Sequence, residues 1–130
     1  MVVTPRRTKV YFDGGCRPNP GAMEAAVVMR GVAHISTDLG SGTNCDAEWL
    51  ALILALKVAQ DSGAQDFVLL GDSAVVVAQA RRERPCRGTD LQRHFDTFAA
   101  LVGDAKWPRI RKIARAQNLA GIVLARLHER

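Results

Sequence analysis

Three carboxylates in this chain stand where acidic side chains can be gathered. Asp13 ends the strand-like run from Lys9, Glu48 lies in the first turns of a long helical stretch, and Asp72 follows the apolar run Phe67 to Leu70. Strand ends and helix starts are where a mixed sheet collects side chains from distant positions into one cleft. Carboxylates brought together repel one another, and they are tolerated mainly where hard divalent cations neutralise them. Each one alone has an ordinary structural use: Asp13 forms a turn, Glu48 partners the helix dipole, Asp72 caps a helix. As a set they are a candidate centre for metal-assisted chemistry on oxygen ligands. No histidine or cysteine cluster offers a rival transition-metal site.

The elements that must position them can be read from periodicity. Alternation from Lys9 to Asp13 predicts a strand ending in the carboxylate, Gly14-Gly15 and Pro18-Asn19-Pro20-Gly21 predict a turn, and Ala25 to Met29 returns as the hairpin partner. Val32 to Leu39 fits a third strand, followed by a flexible Gly40-Ser41-Gly42. Thr43 or Asn44 can cap a helix that runs to about Ser62 and stops at Gly63, with Ala47, Leu50, Ala51, Leu54, Ala55 and Val58 as its buried face. Phe67 to Leu70 reads as a strand buried on both faces. Helices are expected over Ala74 to about Arg82 and Thr89 to Leu101, then a strand over Arg109 to Ile113 and a closing helix over Gln117 to Leu127. That order describes an α/β chain with a mixed sheet and helices packed on its faces.

Composition narrows the function. The chain has 130 residues, 48% hydrophobic and 24% charged, which suits one core rather than a disordered segment. No stretch approaches the roughly 20 apolar residues of a membrane helix, and the first residues lack the apolar core of a signal peptide, so a cytoplasmic location is expected. The three cysteines show no paired spacing and are read as reduced thiols. The formal charge of +5 comes largely from arginine, including Arg81, Arg82, Arg84 and Arg87 in one short run at the end of the second expected helix and the connector after it, and favours a polyanionic partner.

Four segments, in order, resemble the type 1 ribonuclease H family in its compact, archaeal-like form without a basic protrusion. Tyr11 to Gly21 (Tyr-Phe-Asp-Gly-Gly-Cys-Arg-Pro-Asn-Pro-Gly) is similar to the family's first strand and turn. Thr43 to Trp49 (Thr-Asn-Cys-Asp-Ala-Glu-Trp) is similar to its helix start, Gly71-Asp72-Ser73 to its third motif, and Arg115 to Ala125 to its closing segment. The resemblance implies the ribonuclease H-like fold, a five-stranded mixed sheet with helices on both faces, in a single domain over 1–130 with 1–8 as a flexible N-terminus. It implies an endonuclease that cuts the RNA strand of RNA/DNA hybrids, leaving 5′-phosphate and 3′-hydroxyl ends, with two magnesium ions, or manganese, at the site. Asp13 is expected to bridge both ions, with Glu48 and Asp72 completing the second site. Gly14, Gly15, Cys16, Asn19 and Asn44 are expected at 2′-hydroxyls of the RNA strand, Thr43 at a DNA-strand phosphate, and Arg115 in the place of a histidine loop. A monomer with no membrane association is expected.

Two features depart from the family pattern. The family's fourth carboxylate falls on Ile122, which cannot ligate a cation; the carbonyl oxygen of Asn118, one helical turn earlier, is the alternative ligand. Reduced turnover follows, and a second reading stays open: a catalytically impaired ribonuclease H-like module that binds hybrid or other nucleic acid. A nuclease of the same fold acting on double-stranded RNA is a third. Ser41 and Ala74 also replace family contacts to the substrate, an arginine and a glutamine.

Overall fold

The computed structural model describes residues 7–128. In chain order it contains β1 (Thr8–Arg17), β2 (Gly21–Met29), β3 (Val32–Ser36), β4 (Ser41–Gly42), α1 (Asn44–Asp61), β5 (Phe67–Gly71), α2 (Ala74–Ala80), α3 (Thr89–Val102), β6 (Arg109–Lys112), a 3-10 turn (Arg115–Gln117) and α4 (Leu119–Arg126). The sheet order is β3-β2-β1-β5-β6, with β4 added to β2. β1 runs antiparallel to β2 and parallel to β5, and β5 runs parallel to β6, so the sheet is mixed as expected. Of the terminus expected to be flexible, residues 1–6 lie outside the described residues, Arg7 pairs with Asp66 at 3.1 Å, and Thr8 opens β1.

Alternation in β1 divides the core in two. Val10 and Phe12 are fully buried against α1 and the aromatic side chains of α3, while Tyr11 faces Ala120, Val123 and Leu124 of α4 on the other side of the sheet. Trp49 of α1 anchors the larger core, with its ring edge-on to Phe95 at 6.2 Å and to Phe98 at 6.1 Å. Its indole N–H donates to Gln79 Oε1 at 2.8 Å, so the one polar atom of a fully buried ring is satisfied. Loss of such a ring costs about 3–5 kcal/mol.

The structure corrects three local expectations. β1 does not stop at Asp13: it continues through Gly14, Gly15 and Cys16 to Arg17, and Asp13 sits mid-strand opposite Ala26. The glycines there are not turn formers. A Cβ on Gly14 would lie 2.1 Å from the carbonyl oxygen of Ala47, so glycine is what lets the start of α1 press against the strand. The buried face of α1 is also rotated from the expected stripe, because α3 covers its second side: Glu48, Leu52, Ala55, Leu56 and Ala59 are buried, while Leu50, Leu54 and Val58 are half-buried. Finally, the third strand ends at Ser36, and Ser41-Gly42, expected to be flexible, pair with Ala22 and Gly21. Among the described residues no helix is long and apolar enough to cross a membrane.

Candidate active site

Three elements bring the acidic side chains together. Asp13 projects from mid-β1 towards α4, Glu48 lies on the second turn of α1, and Asp72 follows the last residue of β5, next to the Ser73 cap of α2. Gly71 before Asp72 is required by packing, since a Cβ there would come within 2.4 Å of the Phe12 ring. One oxygen from each carboxylate lies within 4.8 Å of the others, so the expected convergence is present. They open onto a cleft of about 660 Å³ that is also lined by Gly14, Gly15, Cys16, Asn44 and Arg115.

The electrostatics are those of a site awaiting positive charge. Burial pushes the Glu48 carboxyl far above its ordinary range, and the hydrogen bond and repulsion from Asp13 add to that shift, against the opposing N–H of Gly14. Burial likewise raises Asp13, aided by the charge of Asp72 and opposed by a Glu48 hydrogen bond, Arg115 and the Gly14 N–H. Two acids so placed share a proton when no cation is present. The Gly14 N–H donates to Glu48 Oε1 at 3.2 Å, while Glu48 Oε2 is buried without a partner. A buried carboxyl oxygen with no partner beside two further carboxyl groups fits a hard divalent cation, which would displace the shared proton. The one thiol in the cleft, Cys16, is directed elsewhere, at 3.3 Å from Asn44 Oδ1 and 3.5 Å from Asn19 Oδ1.

The remaining sequence candidates divide into two groups. Cys16, Asn19 and Asn44 form a network on the cleft rim, in which Asn19 Oδ1 also accepts from the Asn44 backbone N–H at 3.2 Å. Both amide oxygens are taken by this network, and neither NH₂ group is hydrogen-bonded within the protein among the described residues, which leaves the donors a hydroxyl or phosphate oxygen requires. Thr43 is instead the N-cap of α1. Its hydroxyl accepts from the Asp46 N–H and its backbone N–H donates to Asp46 Oδ2, closing a capping box, and the hydroxyl also donates to that oxygen. Asn118 Oδ1, the atom offered as an alternative ligand, caps α4 here by accepting from the N–H groups of Ala120 and Gly121. Ile122 does line the cleft, 39% exposed, at the place expected for the fourth carboxylate.

Sequence reasoning misses two side chains. Glu24 lines the same cleft and is hydrogen-bonded by His128. Its alternation onto the face of the cleft becomes visible only once β2 is known to begin at Gly21 rather than Ala25. His94, which has no motif context in the sequence, bonds Asp46 Oδ1 at 3.0 Å and so ties α3 to the α1 cap. No spacing rule marks that pair.

Comparison with known proteins agrees with this geometry. Residues 11–128 match the family described as reverse transcriptase-like. The chain is similar to ribonuclease HI of Halobacterium salinarum, 37% identical over 125 residues, which cover 92% of this chain and 62% of that protein. It therefore spans less than two thirds of that relative's length. The solved ribonuclease H1 from the same archaeon superposes with a TM-score of 0.82 at 32% identity, over 92% of this chain and 94% of that one. A ribonuclease H1 isolated from compost, solved in complex with RNA/DNA hybrid, gives 0.76 at 28% identity over 87% of this chain and 89% of that one. With the fold, the order of the motifs and these likenesses in agreement, the chain belongs to the type 1 ribonuclease H family.

Proposed function

We propose that this domain hydrolyses the RNA strand of RNA/DNA hybrids with divalent cations, giving 5′-phosphate and 3′-hydroxyl ends. The observation that carries the reading is the convergence of Asp13, Glu48 and Asp72 with one buried, unpartnered oxygen among them. Asp13, Glu48 and Asp72 would hold the divalent cations, two ions of magnesium or manganese, which would supply activation of a water and stabilisation of the departing 3′ oxygen. Arg115 lines the cleft and offsets its negative charge, favouring approach of the scissile phosphate. The backbone of Gly14 to Cys16 and the NH₂ groups of Asn19 and Asn44 suit 2′-hydroxyl recognition, the feature that separates RNA from DNA. Thr43 reaches a DNA-strand phosphate only by exchanging its bond to Asp46, so that contact is coupled to the α1 cap. In this reading the domain acts as a monomer in the cytoplasm.

A specific observation favours a second reading, of an impaired enzyme that chiefly binds hybrid: Ile122 stands in the cleft where a fourth anionic ligand belongs. Cleavage of a labelled RNA/DNA hybrid with magnesium and then manganese, with Asp13→Asn as control, separates the two. Metal-dependent products absent from the control support the nuclease. Tight hybrid binding without products in either metal supports the binding module.

A further inference from the structure

Asn118 is fully buried, and its amide joins three parts of the site. Nδ2 donates to the Phe12 carbonyl at 2.9 Å and to Asp72 Oδ2 at 3.0 Å. Oδ1 accepts from Ala120 N at 3.1 Å and from Gly121 N at 3.4 Å. Its orientation is fixed by chemistry, since a carbonyl and a carboxylate can only accept on one side and two backbone N–H groups can only donate on the other. Both ends of this bridge lie beside the metal carboxylates. Phe12 immediately precedes Asp13, and a Cβ at Gly121 would stand 3.5 Å from Asp13 Oδ2.

We infer that Asn118 is a positioning residue of the metal centre: by holding Asp72 Oδ2 it turns the other carboxylate oxygen to the cation, and it makes docking of α4 and cation binding one linked event. The inference rests on the reading that the three carboxylates hold a divalent cation and names a determinant of that site outside the ligand set. An amide held on one oxygen leaves Asp72 a one-oxygen ligand, with its rotamer set before the cation arrives. The same side chain caps α4, so a helix end that frays releases Asp72, and a bound cation that fixes Asp72 holds the helix end in place.

Serine separates positioning from capping. It caps a helix about as well as asparagine, but its hydroxyl is too short to reach Asp72. The experiment is calorimetric titration of the whole chain with Mn²⁺, wild type against Asn118→Ser, with circular dichroism to establish that both are folded. The expected result is a folded variant with Mn²⁺ affinity lowered roughly 10- to 100-fold, the range for partners that orient metal ligands. A second measurement on the wild type needs no variant: the Asn118 side-chain NH₂ resonances should shift on Mg²⁺ addition with the half-saturation of cation binding. A folded Asn118→Ser with wild-type affinity, or NH₂ resonances unmoved at saturating Mg²⁺, overturns the positioning role and leaves the nuclease reading standing. A wild type that takes up no cation at all removes the metal-hydrolysis reading first, and the inference with it.

Discussion

At the scale of single residues, the carboxylates make opposite demands on the protein with and without metal. Without a cation, Glu48 and Asp13 hold in the folded state a proton that the unfolded chain releases near the ordinary carboxylate range, 4.5 for a glutamate. The folded state then binds more protons, so this contribution is fully present at low pH and is lost as pH rises toward the raised folded values. The slope approaches about 1.4 kcal/mol per pH unit for each such proton. In EDTA the melting temperature of the wild type should therefore fall relative to that of Glu48→Gln between about pH 5 and pH 8. Parallel melting curves for the two would mean that Glu48 is not held protonated. Added magnesium should raise the wild-type melting temperature most at the high end of that range and leave Glu48→Gln nearly unchanged.

Ile122 is the complementary residue-scale case. Ile122→Asp places a new carboxylate at a position 39% exposed and facing the cleft, so the variant avoids most of the cost of burying an unpaired charge. Cleavage of hybrid should rise, most strongly at low magnesium, because another anionic oxygen in the cleft would strengthen cation binding there. A tenfold gain corresponds to about 1.4 kcal/mol of transition-state stabilisation. Single-turnover rates measured across magnesium concentrations, alongside melting temperature, check this. A variant that folds normally and is no faster at any concentration would show that the missing ligand does not limit the site.

Among the elements, the close seam between β1 and α1 decides whether the carboxylates meet at all. Gly14 leaves no room for a methyl group against the Ala47 carbonyl, at 2.1 Å, and the obstacle is backbone that cannot turn aside. Gly14→Ala should displace the start of α1, separating Glu48 from Asp13. Loss of Mn²⁺ affinity together with a melting temperature lowered by several degrees is expected, whereas Gly63→Ala, at a surface turn with positive φ and open space around it, should lower stability without touching metal binding. If the two variants lose metal affinity equally, the seam is not what sets the site. This packing shows what sequence can and cannot reveal. The ordered motifs around Asp13, Glu48 and Asp72 are legible because, taken together and in order, they resemble the motifs of a known family. The role of Gly14 is not, since a glycine pair reads locally as a turn until the helix that crosses it is in place. The buried face of α1 escapes the sequence for a related reason: covered by the sheet and by α3, the helix is apolar on two sides and its periodicity loses direction.

Over the whole molecule, the net charge of +5 predicts a polyanionic partner but not which cations are free to meet it. In sequence the connector arginines form one basic run, and the fold divides them. Arg81 donates to the Ile110 carbonyl at 2.7 Å and pairs with Glu83 at 3.1 Å, and the Arg82 guanidinium lies 4.2 Å from the centre of the Trp107 ring. These two fasten the end of α2 to β6 and to the aromatic core. Arg84 and Arg87 make no ion pair among the described residues. Hybrid binding should weaken steeply with salt, and Arg84→Ala with Arg87→Ala should lower the slope of log affinity against log salt by about 0.9 for each phosphate no longer neutralised. Arg81→Ala and Arg82→Ala should instead lower the melting temperature, because they remove a part-buried hydrogen bond and a stacked cation, while the salt slope changes little. Fluorescence anisotropy of a labelled hybrid over a salt series, with melting curves for each variant, tests the division. If the Arg84/Arg87 variant keeps the full slope and the Arg81/Arg82 variant loses it at unchanged stability, the tethered pair rather than the free pair meets the phosphates, and the connector must rearrange on binding.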